Sequence, residues 1–246
     1  MMISKQSPGV SPPEGVDAVA DARKPIGTAA RGLLLGTLFA VLVLWLFIWL
    51  ADEVMESATQ KWDAGIVDSL LQHSSPAIHA FMAAVTWLAS GMSQAVFIGL
   101  VALYFLWKHR FWPDGAAMLV AGFGGMLLDE GLKRLFHRHR PEPIFYHLGY
   151  SFPSGHAFSA VVVYGLIAYW LSRKADMKRR ILIWTAAVIL MAIVGVSRVY
   201  LGQHYPTDVI GGYFAGSCWL WGCTTWLTML HRSHTSVDQP IGFTNE

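Results

Sequence analysis

Long runs of apolar residues are the feature that most constrains how this chain can fold. Six of them are each near the length that an α-helix needs to cross a bilayer. They are Gly32–Ala51, Gln94–Trp107, Gly115–Leu132, His156–Leu171, Ile181–Val196 and Asp208–Leu230. The sequence therefore predicts an all-α, polytopic membrane helix bundle with six transmembrane helices. Only 14% of the 246 residues are charged and 54% are hydrophobic, which argues against an ordinary soluble domain.

The segment before the second apolar run is predicted to be a separate helix. A single helix from Ala77 to Trp107 would be too long for one crossing of the bilayer. We therefore divide the region into the membrane span Gln94–Trp107 and a short extramembrane helical segment, interfacial or re-entrant. That segment is the stretch SSPAIHAFMAAVTWLASG.

One membrane domain with a tail at each end is the predicted domain organisation. Residues 1–25 are rich in Pro, Gly, Ser and Ala, which is typical of a disordered segment, here a cytoplasmic tail. Residues 26–232 form the six-span domain, and residues 233–246 form a second cytoplasmic tail. Since the first apolar run is long enough to cross a bilayer, we predict a retained transmembrane helix and not a cleaved signal peptide.

Lys and Arg residues in the short loops predict which helix ends face the cytoplasm. They cluster before span one, after span two, between spans four and five, and after span six, all on one side. The residues are Arg23, Lys24, Arg31, Lys108, Arg110, the five basic residues of SRKADMKRR, and Arg232. Residues 52–90, 133–155 and 197–207 then lie on the opposite side, predicted to be the outer or periplasmic face of a bacterial inner membrane.

The outer side nevertheless contains basic residues, in KRLFHRHRP and at Arg198. Such residues could reach anionic lipid headgroups, or they could hold an anionic ligand at the membrane surface. The net charge of the whole chain is only +2, which is too small to indicate a nucleic-acid partner.

The first candidate cluster is Lys133, Arg140 and Pro141, at the outer end of span three. Arg140 can bind a phosphate through two parallel hydrogen bonds, and Lys133 supplies a compact positive charge. Asp129 precedes Lys133 by one helical turn, so it either neutralises the lysine or also directs its ammonium group inward.

The second cluster, Pro153-Ser154-Gly155-His156, begins span four. A helix that starts near Ser154 presents free N–H groups and the positive end of its dipole. Ser154 is predicted to cap this helix, and Gly155 allows an anion to approach the backbone. Pro-Ser-Gly alone is only a good helix start, but the added His156 favours a phosphate-binding site.

The third cluster is Arg198, His204 and Asp208, within SRVYLGQHYPTD. Asp208 follows His204 by four residues, so its carboxylate could accept the ring N–H of the histidine. This would fix the tautomer and leave the other ring nitrogen free to attack. A lone histidine near a membrane surface is usually structural, whereas two histidines with a carboxylate and three cations on one face indicate a functional site.

Together the three clusters closely resemble the tripartite signature of the type-2 phosphatidic acid phosphatase superfamily. The matching motifs are Lys133-x6-Arg140-Pro141, Pro153-Ser154-Gly155-His156 and Ser197-Arg198-x5-His204-x3-Asp208. The superfamily includes membrane lipid phosphate phosphatases, soluble acid phosphatases and vanadium haloperoxidases. The six-span layout resembles the membrane branch.

This resemblance implies a role for each matched residue. His204 would be the nucleophile that becomes phosphohistidine, Asp208 would orient it, and His156 would act as general acid and then as general base. The phosphate oxygens would be bound by Lys133, Arg140, Ser154, Gly155 and Arg198.

Neither a metal nor a cofactor is expected. The carboxylates near the three clusters are few and already paired, and three cations with a helix N-terminus could balance a phosphate dianion. We therefore predict activity that survives chelators. The two cysteines, Cys218 and Cys223, lie in an apolar run and are predicted to be buried free thiols.

One position departs from the family pattern. Many bacterial members continue Arg-Pro-Arg-Pro after the lysine motif, whereas this chain has Arg140-Pro141-Glu142-Pro143. The second arginine contact, the headgroup preference and the role of Glu142 are therefore open.

The predicted function is a membrane phosphatase that hydrolyses a lipid phosphate or diphosphate. Undecaprenyl diphosphate, phosphatidate, phosphatidylglycerol phosphate and lipid A are all candidate substrates, with isoprenyl diphosphate or phosphatidate preferred. The alternatives are a lipid phosphotransferase with the same histidine chemistry and a catalytically silent lipid-binding or transport protein. The latter would not explain His156, His204 and Asp208 together. The sequence gives no indication of the oligomeric state.

Overall fold

The computed structural model describes residues 24–87, 89–107, 112–141 and 149–237, with no β-strand among them. These residues form α-helices joined by turns and loops. In chain order the helices are α1 (Lys24–Met55), α2 (Gln60–Gln72), α3 (Pro76–Trp87), α4 (Gly91–Trp107), α5 (Trp112–Phe136), α6 (Gly155–Ser172), α7 (Met177–Tyr200) and α8 (Pro206–Val237). The all-α prediction is confirmed for the described part of the chain.

The chain divides into two compact units, residues 1–39 and residues 40–246. The first unit contains the start of α1, where the side chains of Leu35 and Leu38 are exposed. Exposed leucines on a long apolar helix are expected where that helix faces lipid. The second unit contains the rest of α1, the other helices and all the predicted site residues.

Five stretches of the described residues are long and apolar enough to cross a membrane. They are Ala30–Met55, Pro76–Tyr104, Gly115–Phe136, Gly155–Ser172 and Met177–Tyr200. Four of these contain the predicted spans one, three, four and five in full. The chain is therefore an integral membrane protein.

The sixth predicted span, Asp208–Leu230, is not among these stretches, so the count of six is not confirmed. It lies within α8, which is long enough to cross a bilayer. Glycine, serine and threonine dilute the apolar residues of α8, and one of its faces packs against α6. The length of α8 therefore fits a membrane span, whereas its composition is less apolar than that of the other predicted spans.

The predicted break before the second span is present. α3 ends at Trp87 and α4 begins at Gly91, so the segment before the predicted span is a helix of its own. By length and composition, however, Pro76–Tyr104 qualifies as one stretch. The predicted span Gln94–Trp107 therefore starts well inside the apolar region.

Helix α6 is the centre of the second unit. It packs against α5, α7 and α8. Many of its side chains are buried, among them Ala157, Phe158, Ala160 and Val162. The residues just before it, from Phe152 to Ser154, are buried as well. The first turn of α6 therefore opens into the protein and not into bulk water.

Glycines allow α8 to approach α6 closely. A Cβ atom added at Gly212 would lie 2.5 Å from the carbonyl oxygen of Ser154. One added at Gly216 would lie 2.8 Å from the carbonyl oxygen of Phe158. The spacing Gly212-x3-Gly216 thus places two glycines on the face of α8 that packs against α6.

Helix α2 covers the turn between α7 and α8. Its buried residue Val67 packs in one apolar cluster with Val199, Tyr205 and Val209. Asp63 lies one turn earlier on α2 and is fully buried as well. A carboxylate therefore lies on the apolar face of this helix.

Several predictions concern residues outside the described ranges. These are residues 1–23 and 238–246 of the two tails, the loop residues Lys108 and Arg110, and Glu142. Of the predicted tails, Lys24 and Pro25 begin α1, and residues 233–237 end α8.

We expect Gly216→Ala to destabilise the protein by about 1–3 kcal/mol, because its methyl group would overlap the backbone of α6. The matched control is Gly222→Ala on the same helix, where an added Cβ has no atom within 4 Å. Thermal unfolding in detergent should show a lower Tm for Gly216→Ala alone. Equal Tm values for the two variants would contradict the close contact.

Candidate active site

The predicted site residues meet around the N-terminus of α6. They come from the last turns of α5 and α7, from the loop before α6, and from the turn that begins α8. His156, in the first turn of α6, is half-buried. It lies close enough to Lys133, Arg140, Arg198 and His204 for electrostatic interaction. Three segments that are far apart in the chain therefore share one location.

Lys133 and Asp129 form an ion pair beside Gly155. Lys133 Nζ donates to Asp129 Oδ2 at 2.6 Å. A Cβ atom at Gly155 would lie 2.5 Å from that oxygen and 2.7 Å from the lysine nitrogen. The ion pair thus contacts the helix backbone where only glycine leaves room. This geometry is consistent with both predicted roles of Asp129, which are to neutralise Lys133 and to direct its ammonium group toward the site.

Ser154 occupies the N-cap position of α6, as predicted, but its side chain does not cap the helix. Its carbonyl oxygen accepts from Phe158 N at 2.9 Å, which is the first bond of the helix. Its Oγ is buried and has no hydrogen-bond partner. The hydroxyl is therefore available to a ligand and not used by the helix.

The hydrogen bonds of His204 define its tautomer. Its Nε2 lies 3.1 Å from Arg140 Nη1, and its Nδ1 lies 2.9 Å from the carbonyl oxygen of Ser151. A guanidinium can only donate and a carbonyl can only accept, so the proton is on Nδ1. The lone pair of Nε2 therefore faces Arg140.

Asp208 is close to His204 but is not the nearest acceptor for its ring N–H. Asp208 Oδ2 lies 3.5 Å from Nδ1, farther than the carbonyl oxygen of Ser151. The same carboxylate oxygen accepts from Tyr205 N at 2.9 Å. The expected tautomer is present, but a backbone carbonyl holds it, with the carboxylate alongside.

Burial lowers the pKa of the His204 imidazole to about 4, from an ordinary value of 6.5. The carboxylate of Asp208 opposes this change in pKa, and the positive charge of Arg140 adds to it. Since pH 7 lies well above this pKa, the imidazole is neutral at that pH. A neutral ring keeps the lone pair on Nε2 that a nucleophile needs.

The two predicted arginines are held by different neighbours. Arg140 Nη1 donates to the carbonyl oxygen of Gln203 at 3.0 Å, and its Nε donates to that of Gly149 at 3.3 Å. Arg198 is 6% exposed and its Nη1 donates to Thr86 Oγ1 at 2.8 Å. Thr86 lies on α3, outside the three sequence motifs, so the sequence did not indicate this contact.

Buried polar atoms without partners concentrate at this site. Among the described residues, four buried side-chain atoms have no hydrogen-bond partner. They are Gln94 Nε2, Asp129 Oδ1, Ser154 Oγ and Arg198 Nε. Three of the four belong to the predicted clusters or their ion pair. Because buried polar groups are normally satisfied, this concentration indicates a place for a polar ligand.

The described residues contain no group of three or more His, Cys, Asp or Glu side chains that could hold a metal ion. The two histidines of the site are surrounded mainly by cations, which suit an anion and not a metal.

Sequence reasoning missed Arg138, a buried side chain next to the site that donates several hydrogen bonds. Its Nη1 donates to Asp208 Oδ1 and to Thr207 Oγ1, each at 2.7 Å. Its Nη2 donates to Asp63 Oδ2 at 2.6 Å. Arg138 lies in the basic stretch KRLFHRHRP, but nothing in that stretch distinguishes it from the exposed Arg134.

Known proteins resemble this chain over the region of the site. Residues 114–232 match the PAP2 superfamily. Phosphatidylglycerophosphatase B of Bacillus subtilis (strain 168) is 32% identical over 174 residues, which cover 69% of this chain and 85% of that protein. An undecaprenyl-diphosphatase of Sulfolobus acidocaldarius is 31% identical over 132 residues, which cover 50% of this chain and 60% of that protein.

Solved structures show the same fold. The crystal structure of a transmembrane PAP2-type phosphatidylglycerolphosphate phosphatase from Bacillus subtilis matches with a TM-score of 0.72 and 29% identity. The match covers 78% of this chain and 96% of that one. Aquifex aeolicus LpxE, at 21% identity, matches in fold with a TM-score of 0.50, over 68% of this chain and 95% of that one.

We expect Gly155→Ala to lower kcat/KM by about 100-fold, because its methyl group would displace the ion pair of Lys133 and Asp129 by roughly an ångström. The colliding atoms are the ends of side chains, so the loss of stability should be smaller than the loss of activity. Gly131→Ala is the control, since an added Cβ there has no atom within 4 Å. Wild-type kcat/KM in Gly155→Ala would contradict this contact.

We expect the ring of His204 to titrate at a pH of about 4 and not at 6.5. In Arg140→Gln the titration should move to higher pH, because loss of a nearby positive charge favours the protonated ring. Histidine-ring NMR of the detergent-solubilised protein measures both, with His204→Gln used to assign the resonances. A wild-type titration near 6.5 would show that burial does not control this group.

Proposed function

We propose that this chain, which belongs to the PAP2 superfamily, hydrolyses a lipid phosphate or diphosphate through a phosphohistidine on His204. The two relatives that support this proposal are both named as phosphatases. The observation that carries this proposal is the state of the His204 ring. Its Nδ1–H is held by the carbonyl oxygen of Ser151, and its unprotonated Nε2 lies 3.1 Å from Arg140. A nucleophilic nitrogen thus lies beside a cation that can bind a phosphoryl oxygen.

In the first step Nε2 of His204 attacks phosphorus, and the bond from phosphorus to the leaving oxygen breaks. His156 donates a proton to that oxygen, which leaves as the alcohol of the lipid or as the lipid monophosphate. The Nδ1 proton stays on the ring, where the Ser151 carbonyl and the nearby Asp208 carboxylate stabilise the positive charge that develops.

In the second step water attacks the phosphohistidine. His156, now neutral, accepts a proton from that water as the new phosphorus–oxygen bond forms and the phosphorus–nitrogen bond breaks. Inorganic phosphate leaves, His204 returns to its neutral state and His156 is protonated again. The cycle needs no other co-reactant.

The phosphoryl oxygens are bound by groups that converge at the start of α6. Lys133, Arg140 and Arg198 supply positive charge, and Ser154 Oγ and the N–H of Gly155 supply hydrogen bonds. The unpartnered Ser154 Oγ and Arg198 Nε support this assignment, because a bound phosphate would satisfy both.

The surroundings of Arg140 favour a lipid as substrate. A cleft of about 560 Å³ adjoins the site at Arg140 and is lined in part by Gln60, Asp68 and His137. It shares Met55 and Phe136 with an apolar groove along α1. A cleft lined by both polar and apolar side chains, and continuing into an apolar groove, can hold both the headgroup and an alkyl chain.

Two substrate classes are supported by the relatives. One relative is named for phosphatidylglycerophosphate and the other for undecaprenyl diphosphate. We propose that this chain acts on one or both, at the outer face of a bacterial inner membrane. The outer placement is supported by the basic residues at the opposite helix ends, such as Lys178, Arg179 and Arg180 in the first turn of α7.

The test is release of inorganic phosphate from a panel of pure lipids, combined with acid-quenched trapping of a phosphoenzyme. The panel contains phosphatidylglycerol phosphate, phosphatidate, undecaprenyl diphosphate and lipid A. His204→Ala should form no phosphoenzyme and lose turnover by at least about 10³-fold. His156→Ala should still accumulate phosphoenzyme from a substrate with a good leaving group.

The matched control is His79→Ala, an exposed histidine on α3 that should behave as wild type. Turnover should also survive EDTA, since the proposed steps use no metal. Wild-type turnover in His204→Ala would refute the histidine intermediate. Transfer of phosphate to a second lipid, in place of release to water, would identify a phosphotransferase.

A further inference from the structure

Asp63 is a fully buried carboxylate that the proposed reaction does not use. It lies in the first turn of α2, and its side chain is 0% exposed. Its two oxygens accept hydrogen bonds from three side chains and one backbone N–H. The donors are Thr59 Oγ1 at 3.1 Å, Arg138 Nη2 at 2.6 Å, Thr207 Oγ1 at 2.5 Å and Thr207 N at 3.1 Å. A buried charge with this many directed bonds is positioned with little freedom.

One set of these bonds holds the start of α8. Thr207 is the second residue of that helix, and its N–H is one of the first-turn groups that lack a partner within the helix. Asp63 accepts this N–H from another helix, and its negative charge faces the positive end of the α8 dipole. The turn that Asp63 fixes is the one between His204 and Asp208.

A second set of bonds reaches Asp208 through Arg138. The guanidinium of Arg138 joins the two carboxylates, at 2.6 Å from Asp63 and 2.7 Å from Asp208. It also lies 4.3 Å from the centre of the Tyr205 ring, which it stacks against. Arg138 is therefore fixed from two sides and holds Asp208 in turn.

The charges of Asp63, Arg138 and Asp208 indicate what the second carboxylate, Asp63, contributes to the site. Arg138 alone would cancel the negative charge of Asp208, which lies 3.5 Å from Nδ1 of His204. With Asp63 included, the three side chains carry one net negative charge. That charge is available to the His204 ring when phosphorylation makes it positive.

We propose that Asp63 is a positioning residue for phosphoryl transfer, acting through Arg138 and Thr207 on Asp208 and His204. This inference rests on the proposed role of His204 as nucleophile. Among the residues that the structure describes, the hydrogen-bond partners of Asp63 are Thr59, Arg138 and Thr207, none of which is a proposed phosphate-binding residue. Its loss should therefore reduce the rate of phosphoenzyme formation more than it reduces substrate binding.

The experiment compares Asp63→Asn with wild type in the full-length, detergent-solubilised protein. Loss of a residue that supports a metal ligand typically lowers activity by about 10- to 100-fold, and we expect an effect of similar size for a residue that supports Asp208. We expect a fall of that size in kcat and in the single-turnover rate of phosphoenzyme formation. KM and the inhibition constant of inorganic phosphate should stay within about threefold, since the phosphate-binding residues are unchanged.

The control is Glu130→Gln, a carboxylate-to-amide change at an exposed ion pair with Arg134, which should leave kcat unchanged. Arg138→Gln and the double variant Asp63→Asn/Arg138→Gln complete a cycle. If Asp63 acts through Arg138, the double variant should lose less than the product of the two single losses.

Thr207→Val provides an independent measurement, and it decides the question if Asp63→Asn does not fold. It removes the hydroxyl that bonds both Asp63 and Arg138 without removing a charge. We expect a several-fold lower kcat at unchanged KM. Wild-type kcat in Thr207→Val, or in folded Asp63→Asn, would overturn the inference, as would a rise in KM and in the phosphate inhibition constant with kcat unchanged.

Failure of this inference is distinguishable from failure of the proposed function. If the wild-type protein forms phosphohistidine and Asp63→Asn forms it equally fast, only the role of Asp63 is wrong. If wild type forms no phosphohistidine and His204→Ala stays active, the proposed function itself is wrong.

Discussion

Close contact between the backbones of α6 and α8 is the constraint on which the site depends. Gly212 and Gly216 allow α8 to touch the carbonyl oxygens of α6 directly, and Gly155 allows the ion pair of Asp129 and Lys133 to touch the first turn of α6. Because glycine is required on both helices, the N-terminus of α6 is enclosed by protein. Its free N–H groups and dipole are then partly shielded from water, so they attract an anion more strongly than the end of an exposed helix would.

The sequence was sufficient to predict the parts of the molecule that repeat a simple pattern. Apolar length located four membrane helices and the break between α3 and α4, and residue spacing identified side chains that the fold brings together around His204. It was less reliable for α8, where glycine and threonine weaken the apolar signal. It also assigned the ring N–H of His204 to Asp208, because spacing along a helix does not reveal a backbone carbonyl from a distant loop.

The residues that support the site could not be found from local pattern. Arg138 and Arg134 look alike in the basic stretch, yet the first is buried between two carboxylates and the second is exposed. Asp63 gave one weak signal, a charge on the apolar face of α2 beside Val67. Pairing these residues requires contacts between segments more than 60 positions apart, which only the folded chain supplies.

The bond from Nδ1 of His204 to the carbonyl oxygen of Ser151 has a consequence for how this enzyme can evolve. A main-chain oxygen is present whichever amino acid occupies the position, and it does not ionise. The orientation of the His204 ring thus does not depend on which side chain occupies residue 151, nor on an ionisable partner at that position. Surveys that replace one side chain at a time would not detect this contact, although the proposed reaction would depend on it.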